Sequence, residues 1–267
     1  MSAARVSTLT KSIRLIRLLM HFVSGLLQAL LYPYFSRTIQ KRMARRWARG
    51  FLHILNIELR TGNVPPCDQH KGVMLVANHI SWLDILVILA TFPVRFVAKA
   101  EIRSWPLLGW LSKRAGTLFI EREKRSDTLR TNRTIGELLI KGDSVVVFPE
   151  GMTSDGGVLH HFHASLLQPA VAAHTLLYPA AIRYRDPDGE RNTGVAYVEI
   201  SIVQSLLRIL DQPQVEAALI FGPAIVCASR NRRELARLAE HTIAEELSIE
   251  IRRMADETAS GLPAGQP

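Results

Sequence analysis

Cysteine is scarce in this sequence. Only Cys67 and Cys227 occur in 267 residues, which gives neither a disulfide framework nor a C-x-x-C metal or redox pair, so a reducing compartment is the simpler expectation. The signatures of several large enzyme classes are missing as well. There is no G-x-S-x-G elbow, no Walker loop, no G-x-G-x-x-G and no H-E-x-x-H, so hydrolase, NTPase, dinucleotide and zincin readings have no motif behind them. No internal repeat or low-complexity tract is present. At 48% hydrophobic and 21% charged residues the chain is neither disordered nor fibrous, and its length suits one large domain with an appendage.

Acid is almost absent from the first part of the chain. Residues 1–60 hold eleven Lys/Arg against Glu58 alone, so the whole formal charge of +9 resides there and the rest is close to neutral. Within that segment "LLMHFVSGLLQALLY" (Leu18 to Tyr32) is apolar for 15 residues. As a helix it would be about 22 Å long against a hydrocarbon core of about 30 Å, too short to span comfortably. A basic stretch follows it instead of a small-residue cleavage pattern, so export is not expected. Next, Ile39, Met43, Trp47, Phe51 and Leu55 recur every fourth residue, with Arg37, Lys41, Arg45 and Arg49 on the other side. This amphipathic basic helix suits a headgroup layer; the alternative is a surface helix whose apolar stripe packs on the domain. The expectation is a membrane-surface helical hairpin over residues 1–62. Leu18, Leu19, Phe22 and Trp47 would enter the apolar layer, and Lys41, Arg45 and Arg49 would meet an anionic leaflet. Nucleic acid is not expected as a partner, because no helix-turn-helix, zinc finger or aromatic-studded strand accompanies the charge.

Beyond this appendage the pattern becomes short β-rich runs separated by helical periods. Strands are expected at 73–77, 94–99, 117–121, 144–148, 177–184 and 216–222, and helices near 82–91, 105–114, 126–141, 164–174 and 231–255. The alternation predicts an α/β domain over 63–256, a mixed, largely parallel sheet flanked by helices, with a loose tail at 257–267.

In such sheets functional residues gather at the carboxyl ends of strands. Asn78, His79, Glu121, Arg122, Glu150 and Gly151 all fall there. In "NHISWLD", His79 and Asp84 are five residues apart and cannot meet within one regular helix. They can meet if His79 lies in the turn before a helix capped by Ser81, with Asp84 in its first turn. Asp84 would alternatively serve only a Ser81-x-x-Asp84 capping box. An imidazole held by a carboxylate is a general base suited to an alcohol proton. "HHFH" (His160, His161, His163) has no acid or cysteine at ligand spacing, so no metal is expected.

These residues carry a family resemblance. "NHISWLD", "GTLFIER", "FPEG" and "LYPAAIRY" resemble, in order and spacing, the four motif blocks of the glycerolipid acyltransferase family, which includes the 1-acylglycerol-3-phosphate acyltransferases, over about residues 70–225. The resemblance implies transfer of a fatty acyl group from an acyl-carrier-protein or coenzyme A thioester to a lysolipid hydroxyl, without a cofactor, at the cytoplasmic face of the inner membrane. It implies His79 as base, Asp84 as its orienting partner, and Gly116, Arg122, Glu150 and Gly151 around the acceptor. Lys99 matches a lysine often found at its place in the family and is a candidate for charge near the oxyanion. The third block commonly reads E-G-T-R-S, and here Met152 and Thr153 follow Glu150 and Gly151; further on, His163 stands where relatives often have lysine. Either Arg122 alone holds an acceptor phosphate, or the acceptor is not a phosphate monoester; the "TSDG" form is similar to the lyso-ornithine lipid acyltransferases.

Overall fold

The computed structural model describes residues 6–65, 72–121 and 125–252; Cys67, Arg122 and the expected tail at 257–267 lie outside these stretches. The chain opens with helices α1 (Thr8–Leu31) and α2 (Arg37–Ile54), followed by β1 (Ile57–Gly62), β2 (Met74–Ala77), α3 (Leu83–Thr91) and β3 (Arg95–Lys99). Next come α4 (Leu108–Arg114), β4 (Leu118–Ile120), α5 (Arg125–Ile140), β5 (Val145–Val147), β6 (Val158–His160), α6 (Gln168–Ala172) and β7 (Leu176–Arg185). The last elements are α7 (Ile202–Leu210), β8 (Val215–Phe221), β9 (Ile225–Val226), α8 (Arg232–Leu247) and β10 (Glu250–Arg252).

The main sheet has the order β1-β8-β7-β2-β5-β3-β4. β7, β5, β3 and β4 run parallel to β2, whereas β8 and β1 run the other way. "MLVA" and "VVV" are buried at every position, as central parallel strands covered on both faces require. One apolar layer packs Phe51, Leu52, Leu55, Leu83, Val87 and Ile209 from α2, α3 and α7 on the sheet. On the opposite face, Ile135, Leu139, Leu235, Ala239 and Ile243 from α5 and α8 form the second layer. The expected α/β architecture is therefore present, with helices on both faces of a largely parallel sheet.

The amino-terminal part departs from its expected form in three ways. First, the sheet begins before residue 63: β1 pairs in parallel with β8 from Ile57↔Val215 to Gly62↔Ile220, so the boundary at 62/63 falls too late. Its alternation of buried and exposed residues marks an edge strand. Second, α1 has 24 residues, not 15, because Ser7 caps it and Lys11, Arg14 and Arg17 lie within it. At about 36 Å it is long enough to cross a bilayer, and its hydropathy also suffices. Yet its first turns are tied to the domain: Lys11 pairs with Asp211, and Arg14 donates to the carbonyls of Gln212 (2.7 Å) and Pro213 (3.1 Å). Third, the apolar stripe of α2 packs inward, with Phe51 and Leu55 buried in the core.

These departures redistribute the residues expected at a membrane. Leu18 is only 5% exposed and belongs to the core, and Trp47 stacks on His21 at 5.4 Å and packs against Phe51. The Nε of Arg49 donates to the carbonyl of Ala90 (2.9 Å). Leu19 and Lys41 are exposed, while Phe22 and Arg45 are partly buried. The apolar surface that remains uncovered is the outer stripe of α1: Leu9, Ile16, Met20, Val23, Leu27 and Leu30.

Candidate active site

β2 ends at Ala77, and Asn78 extends its ladder with a side chain. Asn78 Nδ2 donates to the carbonyl of Ile182 (2.9 Å), and its Oδ1 accepts from the Ile182 amide (2.7 Å). The amide side chain thus imitates a strand residue against β7 and frees the main chain to turn. His79 follows in that turn, its ring stacked on Phe148 at 4.1 Å between centroids. Its Nδ1 lies 2.8 Å from Asp84 Oδ2. A carboxylate only accepts, so Nδ1 carries the hydrogen and Nε2 is left to take a proton. Asp84 is fully buried, whereas the His79 side chain keeps 21% of its surface exposed.

Four donors converge on the Asp84 carboxylate. Oδ2 also accepts from the amides of Ile80 (2.7 Å) and Ser81 (3.0 Å), and Oδ1 accepts from the Tyr184 hydroxyl (2.7 Å). The capping-box alternative is half realised: the acid reaches back to the Ser81 amide, but the buried Ser81 hydroxyl has no hydrogen-bond partner and caps nothing. One side chain therefore both fixes the helix start and holds the imidazole.

Tyr184 is the site residue that sequence reasoning missed. It shares a sheet face with Ala180 and Ile182 in the core beneath α3, and a buried tyrosine needs a partner for its hydroxyl. That requirement was the available signal; the identity of the partner was not. Burial and the neighbouring Asp84 hold the phenol well above its ordinary pKa, so it remains a donor. Tyr184→Phe is expected to lower kcat about tenfold while leaving KM for the acceptor unchanged, because the hydroxyl orients Asp84 and does not touch substrate. A rise in KM alone in steady-state assays would contradict this.

Glu150 was expected to line the acceptor site, and the structure places it otherwise. It is 4% exposed, and its two oxygens accept from the main-chain amides of His79 (2.6 Å) and His160 (3.0 Å). It braces the turn that carries His79. Burial pushes its carboxyl up to about 8, against the opposing effect of those two hydrogen bonds. A carboxyl whose folded-state pKa exceeds its unfolded value stabilises the fold at low pH, and that contribution is lost as pH climbs from about 4.5 to about 8. Glu150→Gln cannot ionise and loses one main-chain acceptor, a cost of about 1–2 kcal/mol. Its deficit in Tm should therefore be largest near pH 5 and narrow towards pH 8. Thermal melts showing a constant gap would contradict the assignment.

The other expected residues separate. Gly151 adopts φ +82° at the turn after β5, a conformation that favours glycine, and its amide donates to the Phe148 carbonyl (3.2 Å). Gly116 also has a positive φ but precedes β4, at the amino edge of the sheet, opposite His79. Its carbonyl accepts from Arg95 (3.4 Å), whose guanidinium pairs with Asp143 (2.9 Å), and a Cβ there would stand 2.1 Å from that arginine. Gly116 is accordingly a packing residue remote from the base. Lys99 closes β3 at the correct edge and is exposed, two strands from β2, or about 10 Å. Arg122 falls outside the described residues. Thr153 turns its hydroxyl onto the Tyr197 carbonyl, while the Ser154 amide donates to the carbonyl of His79 (2.9 Å).

A family model described as Acyltransferase matches residues 57–183. The chain is 39% identical over 173 residues to a 1-acyl-sn-glycerol-3-phosphate acyltransferase of Neisseria meningitidis, covering 65% of this chain and 68% of the relative. It is 34% identical over 206 residues to a lyso-ornithine lipid O-acyltransferase of Pseudomonas aeruginosa, covering 77% and 78%. Its fold matches the crystal structure of the 1-acyl-sn-glycerophosphate acyltransferase of Thermotoga maritima with a TM-score of 0.64 at 19% identity, over 88% of this chain and 96% of that one.

Proposed function

The chain belongs to the acyltransferase family, and from that premise we propose that it moves a fatty acyl group from an acyl-carrier-protein or coenzyme A thioester to the free hydroxyl of a lysolipid at a membrane surface. The observation that carries this reading is the imidazole of His79, fixed through Nδ1 by a buried carboxylate and open on its other side. Nε2 takes the hydroxyl proton as the oxygen bonds to the thioester carbonyl carbon. The carbon–sulfur bond then breaks, and the imidazolium returns the proton to the departing thiolate. A positioned base of this kind contributes about 10²- to 10⁴-fold in rate. No cofactor or metal is needed for this exchange; the thioester is a co-substrate.

The preferred acceptor is 1-acyl-sn-glycerol-3-phosphate, in keeping with the Neisseria relative, which would make the product phosphatidic acid. Met152 and Thr153 favour a second reading, because neither supplies a cation after Gly151 and Thr153 is spent on a main-chain carbonyl. Lyso-ornithine lipid, the acceptor in the name of the Pseudomonas relative, is that alternative. Offering both lysolipids side by side, each with acyl-carrier-protein and coenzyme A thioesters, distinguishes them. Turnover of lysophosphatidate with little of lyso-ornithine lipid supports the first, the reverse supports the second, and turnover of neither overturns the lysolipid reading.

The exposed stripe of α1 supports a monotopic arrangement in which that helix lies in one leaflet, at the cytoplasmic face of the inner membrane, and delivers the lysolipid to the domain it is tied to.

A further inference from the structure

The reaction leaves one cationic cleft unused. It lies between α1 and α2 with a volume of about 580 Å³, and its walls include Arg46, Arg49 and His53 from α2 and His21 and Gln28 from α1. The three α2 residues follow one another at i, i+3 and i+7 and so share one helix face. No acidic residue lines the cleft. The side chains of Arg46 and His53 have no hydrogen bond or ion pair among the described residues, and only the Nε of Arg49 is engaged, on the Ala90 carbonyl. Like charges three apart on a helix repel, so the arrangement lacks a counter-charge.

The cleft is held open by a reciprocal lock. His21 Nε2 donates to the Trp47 carbonyl (2.8 Å), Trp47 Nε1 donates to the His21 carbonyl (3.1 Å), and the two rings stack within 11° of parallel. Each ring rests on a glycine of the other helix: a Cβ at Gly25 would lie 2.5 Å from Trp47, and one at Gly50 would lie 2.7 Å from His21. The two helices cannot slide without breaking this, so the arginines are presented on a rigid frame. Met20 and Leu27, next in sequence to His21 and Gln28, belong to the exposed apolar stripe of α1. When that stripe enters the acyl layer, the cleft comes to headgroup depth.

We propose that this cleft binds the phosphate of an anionic membrane phospholipid, with the guanidinium groups of Arg46 and Arg49 on the phosphate oxygens and His53 and Gln28 as further donors. Arginine forks match phosphate oxygens geometrically, and the neighbouring Trp47 gives the headgroup an apolar wall with an interfacial character. The inference rests on the membrane-surface reading above and adds a discrete headgroup site to it.

The test uses the full chain and vesicles of phosphatidylcholine, with and without phosphatidylglycerol. The wild-type protein should bind both and prefer the anionic vesicles. Arg46→Gln with Arg49→Gln should leave binding to the neutral vesicles intact and weaken binding to the anionic ones about thirtyfold, from about 1 kcal/mol for each arginine. Lys41→Gln with Arg42→Gln removes the same charge from α2 outside the cleft and should cost much less. Because Arg49 also holds Ala90, the pair Arg46→Gln with His53→Gln provides a second variant that breaks no hydrogen bond of the fold. Equal losses in the cleft and control pairs, or none in the cleft pairs, would overturn the proposal in favour of diffuse charge. Excess inorganic phosphate that erased the preference would overturn it in favour of a free-phosphate site. Wild-type protein that bound neither vesicle would overturn the membrane reading itself, a distinct result.

Discussion

Replacing Asp84 by asparagine is expected to lower turnover about 10³- to 10⁴-fold, because the amide cannot fix the imidazole in the required tautomer. Both carboxylate oxygens are in use: one receives His79 and the amides of Ile80 and Ser81, and the other receives Tyr184. An amide offers one accepting oxygen and one nitrogen that only donates. With the nitrogen turned towards His79, the ring must carry its hydrogen on Nε2 and can no longer accept the substrate proton. With the oxygen turned towards His79, the tautomer survives but the negative charge that steadies the imidazolium is gone. The same substitution leaves buried donors poorly matched at a cost of about 1–3 kcal/mol, so Tm should fall as well. Paired measurements of kcat and Tm check this, and an asparagine variant with near-normal kcat would contradict the assigned partnership.

The second large effect concerns α1. Substituting Ile16, Met20, Val23 and Leu27 by serine is expected to move the protein from the membrane to the soluble fraction with little change in Tm. All four side chains are more than half exposed, so the fold does not depend on them. Burying each would contribute about 1.5–3 kcal/mol, and four together change partitioning by several powers of ten. Deleting residues 1–60 is a poorer test. It removes Phe51, Leu52 and Leu55 from the core and most of β1 from the sheet, so the domain should not survive it. Undiminished membrane recovery of the fourfold variant would count against α1 as the membrane element.

What the sequence disclosed and what it hid follow from the physics of each element. The central strands were legible because strands covered on both faces must be apolar throughout, as "MLVA" and "VVV" are. β1 was not, since "IELRTG" is an edge strand with charged outward residues and it followed directly on a helix. α2 looked equally suited to a headgroup layer or to a core, because an apolar stripe reveals a face and not what covers it. α1 was read as too short because charged residues near its start resembled a boundary, whereas Lys11 and Arg14 are pairing residues within the helix.

The site divides in the same way. His79 and Asp84 were found because a strand end, a turn and a helix start constrain where five residues of chain can go. Gly116 was grouped with them by its place in a motif block, yet the strand it introduces has its carboxyl end, not its amino end, on the side of His79. Glu150 stands in the right place with a different task, since both its oxygens are turned onto main-chain amides. Tyr184 lies 100 residues from Asp84 along the chain, and only the folded sheet brings the two together.

The most direct measurement is acyl transfer to a lysolipid by His79→Ala, made alongside its vesicle binding and Tm. Turnover reduced by about 10²- to 10⁴-fold or more, with vesicle binding and Tm retained, is the predicted result. Wild-type turnover in that variant would contradict His79 as the base, and with it the account of the site.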